Sequence, residues 1–262
     1  MDFELSGRHA LVTGASSGLG LAIAQSLLAE GASVTLAARS AEKLQAAVAA
    51  LPEAQRARCD TVVAEFGAPG AVEAMLQAAV RQTGRVDILV ANTGGPPPGQ
   101  PSAIDPDVMA AQYGKMIDPV VRLTLALVPG MRDRGWGRVL TVTSSGVIQP
   151  IPHLPMSNTL RASLVGFMKS LAGEVAADGV TVNVLAPGRI ATARTAELDA
   201  ANAAKSGKTV EEVARASAAS IPAGRYGSPA EFGAVAAFLA SGPAAYVTGS
   251  TIRIDGGAIR AV

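Results

Sequence analysis

The stretch that most narrows what this chain can fold into is Val12-Thr13-Gly14-Ala15-Ser16-Ser17-Gly18-Leu19-Gly20. It closes the apolar run Ala10-Leu11-Val12 and opens the pattern Leu21 to Leu28, so it predicts a strand, a tight turn and a helix in direct succession. Gly14 lets the chain turn sharply at the strand end. Gly18 removes a side chain where a diphosphate would approach the backbone, and Gly20 lets the helix pack closely on the sheet. Phosphates would then meet free N–H groups at a helix N-terminus, where the dipole also favours anions. Gly14, Ser16, Ser17, Gly18, Leu19 and Gly20 are therefore the candidate phosphate-binding residues. Their Gly-x-x-x-Gly-x-Gly spacing differs from the commoner Gly-x-Gly-x-x-Gly of dinucleotide folds.

The same alternation continues along the chain. Strands are predicted at 33–38, 58–64, 86–91, 138–143, 181–185 and 250–255, and helices at 41–50, 69–82, 157–177 and 229–239. The segment 105–131 is also helical in period, with a kink expected at Pro119. Residues 195–220 are alanine-rich, charged and short of large apolar side chains, which suits a mobile helical lid better than core. Alternating strands and helices imply an α/β, doubly wound parallel sheet in three layers, with ligands at the carboxyl ends of the strands. With 49% hydrophobic residues, one domain over 1–262 can bury a large core, with the lid at about 193–220.

A formal charge of +1 supplies no basic face for nucleic acid or an anionic membrane, so a small ligand is expected instead. The one cysteine, Cys59, rules out an internal disulfide and is expected to be a small buried strand residue. The two histidines, His9 and His153, are too few and too separated for a metal site. The N-terminal residues lack a signal-peptide pattern, and no run approaches 18 apolar residues, which gives a cytoplasmic expectation.

Together the landmarks resemble the short-chain dehydrogenase/reductase family over essentially the whole chain. They are Thr13-Gly14-x-x-x-Gly18-x-Gly20, Val86-Asp87-Ile88-Leu89-Val90 with Asn92-x-Gly94, Gly137-Arg138 leading to Ser144, Asn183 with Pro187-Gly188, and Gly249 with Asp255-Gly256-Gly257. The resemblance implies a single Rossmann domain that binds a nicotinamide dinucleotide. At the end of the second strand, where a carboxylate would accept from the adenosine ribose, the chain has Ala38, Arg39 and Ser40. No negative charge guards the 2′ position and Arg39 suits a phosphate, so NADP is expected over NAD. By likeness the adenine meets Glu65 and Phe66, with Asp60 the competing acid. Asn92 and Gly94 line the middle of the cofactor, and Pro187, Gly188, Ile190 and Thr192 meet the nicotinamide carboxamide.

The resemblance breaks at the catalytic positions. Family enzymes hold the substrate oxygen with a serine, here Ser144. A tyrosine thirteen residues on and a lysine four beyond it would fall on Ser157 and Arg161, and the relay asparagine on Met116. Arg161 can still donate to the ribose hydroxyls, but it does not exchange protons near neutrality, and the Ser157 hydroxyl starts far above the phenol pKa of about 10. A proton could come from water, a ribose hydroxyl or His153, which lies in the loop bordering the substrate pocket. Tyr113, Asp118, Ser145 and Tyr226 are weaker candidates.

The expected function is an NADP(H)-dependent oxidoreductase acting on a small carbonyl or alcohol, 3-oxoacyl-reductase-like, with Ser144, Ser157, Arg161 and His153 at an atypical site. A nucleotide-binding protein without turnover, and a lyase or isomerase using the altered pocket, are the alternatives. The family's habit implies a homodimer or homotetramer; the apolar face of Leu160, Leu164, Phe167, Met168 and Leu171 and the ending 252–262 are compatible with that and equally with a monomer's core.

Overall fold

The computed structural model describes residues 1–261. Apolar runs too short for helices form the strands, and the segments between them cover both faces. In chain order the elements begin β1 (His9–Thr13), α1 (Gly18–Ala29), β2 (Ser33–Ala38), α2 (Ala41–Ala49), α3 (Glu53–Arg56), β3 (Cys59–Val63) and α4 (Ala71–Thr83). They continue with β4 (Ile88–Asn92), α5 (Pro106–Met116), α6 (Asp118–Asp133), β5 (Gly137–Val142), α7 (Pro155–Val175) and β6 (Val180–Pro187). The last are α8 (Ala193–Ser206), α9 (Val210–Ala219), α10 (Pro229–Leu239) and β7 (Thr251–Ile254).

The seven strands lie in the order β3-β2-β1-β4-β5-β6-β7, every pair parallel. Strand order reverses between β1 and β4, and a doubly wound sheet opens a ligand crevice at such a switch point. One core cluster joins the sheet to α1, α2 and α10 through Ile23, Leu27, Leu44 and Phe232. The other joins it to α4, α6 and α7 through Met75, Leu123, Leu164 and Met168. This is the three-layer α/β/α arrangement that the alternation predicts.

Three local expectations are corrected. The helical period over 105–131 is broken at Ile117, because Pro119 cannot continue the hydrogen-bond ladder of α5 and instead sits in the first turn of α6. Helix α7 starts at Pro155, two residues before the expected Ser157, since proline is favoured at a first helical position. Cys59 is half-buried at an edge strand; burial, with Asp60 beside it, pushes its thiol up to about 11 and keeps it protonated.

The segment 193–220 forms α8 and α9, and α8 is pinned by a buried carboxylate. Asp199 meets Arg189 Nη1 at 2.5 Å and accepts from the Tyr226 hydroxyl at 2.8 Å, so a loop after β6 and a loop before α10 both hold it. At the opposite end of the sheet Trp136 lies between two guanidinium groups, with Arg8 3.8 Å and Arg138 4.3 Å from its ring centre.

Candidate functional site

The nucleotide half is built from backbone. Thr13 Oγ1 donates to Asn92 O at 2.9 Å and receives the Asn92 N–H at 2.9 Å, while Asn92 Nδ2 donates to Gly14 O at 3.3 Å. These bonds tie the end of β1 to the end of β4. A Cβ at Gly20 would collide with Gly14 O, so only glycine allows this approach. A Cβ at Gly18 would meet nothing closer than Thr192 Cγ2 at 3.8 Å, which leaves an open cradle over the turn and brings Thr192 across it. The N-terminus of α1 has no side-chain cap and no acidic residue in its first turn, unlike α2, α5, α9 and α10. Its N–H donors are free for an anion.

Around this turn the other predicted contacts sort themselves by position. Arg39 is exposed beyond β2 and makes no hydrogen bond or ion pair among the described residues. Ser40 caps α2, its Oγ accepting the Lys43 N–H at 3.2 Å. Glu65 lies just past the carboxyl end of β3, whereas Asp60 sits in the first half of that strand opposite Thr35, its carboxylate taken by the Thr61 N–H at 2.7 Å. Of the two acids, only Glu65 stands on the side of the strand ends. Phe66 packs against the core. Pro187 ends β6, and the Gly188 N–H donates to Ile254 O at 2.9 Å. The Ile190 side chain is buried in the core, and Thr192 caps α8, its Oγ1 accepting the Thr195 N–H at 3.4 Å.

The reacting half is built from side chains. Ser144 follows β5 with its Oγ accepting the Gly146 N–H at 3.1 Å, which leaves the hydroxyl hydrogen free to donate. Arg161 is 7% exposed, and its guanidinium reaches back under the strand ends. Nη1 donates to Val142 O at 3.1 Å, and Nη2 to Gly94 O at 2.9 Å and Thr93 O at 3.3 Å. Burial, and secondarily Arg194, bring this group down to about 10, still cationic at neutral pH. Ser157 is 9% exposed one turn earlier, and its hydroxyl has no partner among the described residues. Met116 is buried in the core.

The sequence candidates for a proton source are dispersed. His153 is exposed, with a positive φ of 63°, and its Nδ1 pairs with Gln100 Nε2 at 3.2 Å. Tyr226 is engaged with Asp199, and burial pushes its phenol up. Asp118 pairs with Arg122 on the surface. Sequence reasoning missed three residues. Asn158 holds the loop after Ser144 by accepting the Ile151 N–H and donating to Ile151 O, at 3.2 and 3.0 Å. Asp199 is buried within the alanine-rich segment, its partners 10 and 27 residues away. Arg194 points at Gly95, beside Arg161.

Residues 14–258 match the family described as enoyl-(acyl carrier protein) reductase. The 3-oxoacyl-[acyl-carrier-protein] reductase FabG of Vibrio cholerae is 36% identical over 97% of this chain and 98% of its own length. The chain belongs to the short-chain dehydrogenase/reductase family. Among solved short-chain dehydrogenase/reductase structures, L-sorbose reductase from Gluconobacter frateurii, complexed with NADPH and L-sorbose, superposes with a TM-score of 0.94 at 33% identity, covering both chains fully. A 3-ketoacyl-(acyl-carrier-protein) reductase from Brucella melitensis, complexed with NADH, gives 0.83 at 28% identity over 97% of this chain and 99% of that one.

Proposed function

We propose that this chain is an NADP(H)-dependent oxidoreductase that interconverts a small carbonyl compound and its alcohol, at a site that works without a tyrosine–lysine pair. The observation that carries the reading is Arg161. Its buried guanidinium fastens the ends of β4 and β5 beside Ser144, so a cationic, ordered reaction centre persists where the acid–base pair is lost. When bound, NADPH supplies the hydride.

Each part of the chain has a role in this reading. The glycine turn and the uncapped α1 hold the diphosphate, Arg39 the 2′-phosphate, and Glu65 and Phe66 border the adenine. Asn92 and Gly94 line the middle, and Gly188 and Thr192 the nicotinamide end. The relatives carry different nicotinamide nucleotides; an exposed, unpaired Arg39 with no acid at the end of β2 favours NADP(H) here. Helices α8 and α9 close over the substrate as a lid.

Ser144 donates its free hydrogen to the substrate oxygen. On reduction the C=O π pair would move onto that oxygen, which would take a proton from water. Ser157 is a poor proton donor, because an alkyl hydroxyl lies far above neutrality. His153 faces Gln100 rather than the strand ends, which argues for water.

The test is calorimetric titration with NADPH and NADH, followed by NADPH consumption against ketoses, cyclic diketones, oxo acids and 3-oxoacyl thioesters. Tighter binding of NADPH, and its oxidation by one carbonyl class above a protein-free blank, is the expected result. NADPH that binds but is never consumed would replace this reading with that of a nucleotide-binding protein.

A further inference from the structure

Thr192 is the residue that faces Gly18 across the open cradle, its Cγ2 3.8 Å from where a Cβ on that glycine would stand. It is also the N-cap of α8. The start of this helix therefore lies over the diphosphate turn. Whatever holds α8 in place decides how readily that turn is covered or bared.

Very little apolar surface does so. Of the 14 residues of α8 only Asp199 and Ala203 are buried, and a single alanine methyl is a small fraction of what a packed helix hides from water. A helix of this length is marginal on its own. The attachment is instead polar. Asp199, about 10 Å along the helix axis from Thr192, meets Arg189 Nη1 at 2.5 Å and accepts from the Tyr226 hydroxyl at 2.8 Å. Local bonds shape the first turn, and this clasp fixes the direction in which the helix leaves it.

The receiving side of the clasp is tied to the sheet. The Gly188 N–H donates to Ile254 O at 2.9 Å, the Gly227 N–H to Arg189 O at 3.0 Å and the Ala191 N–H to Gly227 O at 2.8 Å. Arg189 and Tyr226 thus stand on neighbouring, fixed segments, the guanidinium 5.8 Å from the ring centre. Only Asp199 comes from the helix. Its side chain is 3% exposed, so losing a partner leaves a buried charge uncompensated unless α8 lifts away and water reaches the carboxylate. The clasp therefore holds with both partners or opens together with the helix.

We propose that Asp199 is a positioning residue for the nucleotide: seated between Arg189 and Tyr226, it latches α8, and Thr192 with it, over the diphosphate turn, and unseating it opens the way out for the cofactor. This rests on the nucleotide-binding part of the oxidoreductase reading. Asp199 touches no ligand itself. It acts on how long the ligand stays, and differences in affinity of this kind are carried mainly by the dissociation rate.

The experiment is stopped-flow release of bound NADPH, displaced by excess NADP and followed by its fluorescence. Asp199→Asn, which removes the charge at nearly constant size, should release NADPH about tenfold faster or more. Tyr226→Phe, which removes one donor and keeps the ring, should release it about threefold faster. Amide hydrogen exchange on the unliganded proteins separates a latch from a general role in folding: protection should fall over Ala193–Ser206 and stay as in the wild type in β1, β4 and β5. Release as slow as in the wild type in both variants would overturn the proposal. So would faster release with α8 equally protected, or protection lost across the whole sheet. If Asp199→Asn does not fold, Tyr226→Phe carries both measurements. A wild type that binds no NADPH overturns the nucleotide reading and the latch with it, whereas wild-type binding with unchanged release in the variants overturns the latch alone.

Discussion

The two halves of the cleft are made of different material. At the ends of β1 and β4 the candidate contacts are backbone groups, and the glycines that expose them are fixed by packing: a Cβ on Gly20 would strike Gly14 O, and one on Gly14 would lie 2.7 Å from Asn92 Nδ2. At the ends of β5 and α7 the contacts are the side chains of Ser144, Ser157 and Arg161. A substitution at Gly14 or Gly20 disturbs the fold as well as the ligand, so that half is bound to its scaffold. A substitution at Ser144 or Ser157 alters chemistry while leaving strand and helix in place, so these positions are free to change.

The contrast can be broken in order of expected effect. Ser144→Ala removes the hydrogen bond to the developing oxyanion, so kcat should fall about a hundredfold or more with NADPH affinity unchanged, as steady-state kinetics and calorimetry together would read. A parallel loss of NADPH binding would mean that the halves are not separable. Gly18→Val places a side chain in the open cradle at a positive φ, and should raise the NADPH Kd by about tenfold or more while α1 still folds by circular dichroism. Arg39→Ala should weaken NADPH about tenfold and leave NADH alone, the cost of one charge-assisted contact. An equal loss for both nucleotides would remove the 2′-phosphate role.

The smallest effect sharpens the comparison most. Ser157→Ala should change kcat by less than about threefold, because this hydroxyl is no acid–base catalyst. The pH profile obeys the same logic. Arg161 is lowered to about 10 and carries its charge below that value, losing it as pH rises through it. Turnover should then show no titration between about pH 6 and 9 and decline only above, since no group at the reaction centre changes charge in that window. A break near neutrality that disappears in His153→Gln would give the proton to the histidine instead.

The backbone-built half is legible in the sequence because strand alternation and glycine positions are local signals. Strand β2 and helix α10 lie at their expected residues, Ser33–Ala38 and Pro229–Leu239. The break at Ile117 is half visible: Pro119 announces a disturbance, yet period alone does not say that two helices result. The side-chain half is legible only as departures. Spacing puts serine and arginine at 157 and 161, but gives no hint that the guanidinium turns under the strand ends. Asp199, Arg194 and Asn158 leave no pattern at all, because each acts on partners that folding alone brings near.

Trp136, clasped between Arg8 and Arg138, is the chain's one tryptophan, and it precedes β5 while the cleft lies beyond that strand's far end. Six residues of extended chain separate them, about 20 Å. Its emission therefore serves as a built-in gauge of whether the sheet is intact, and should stay silent to local rearrangement around a ligand. Each variant can be examined in unlabelled protein, with a loss of structure told apart from a loss of function by the colour of one indole.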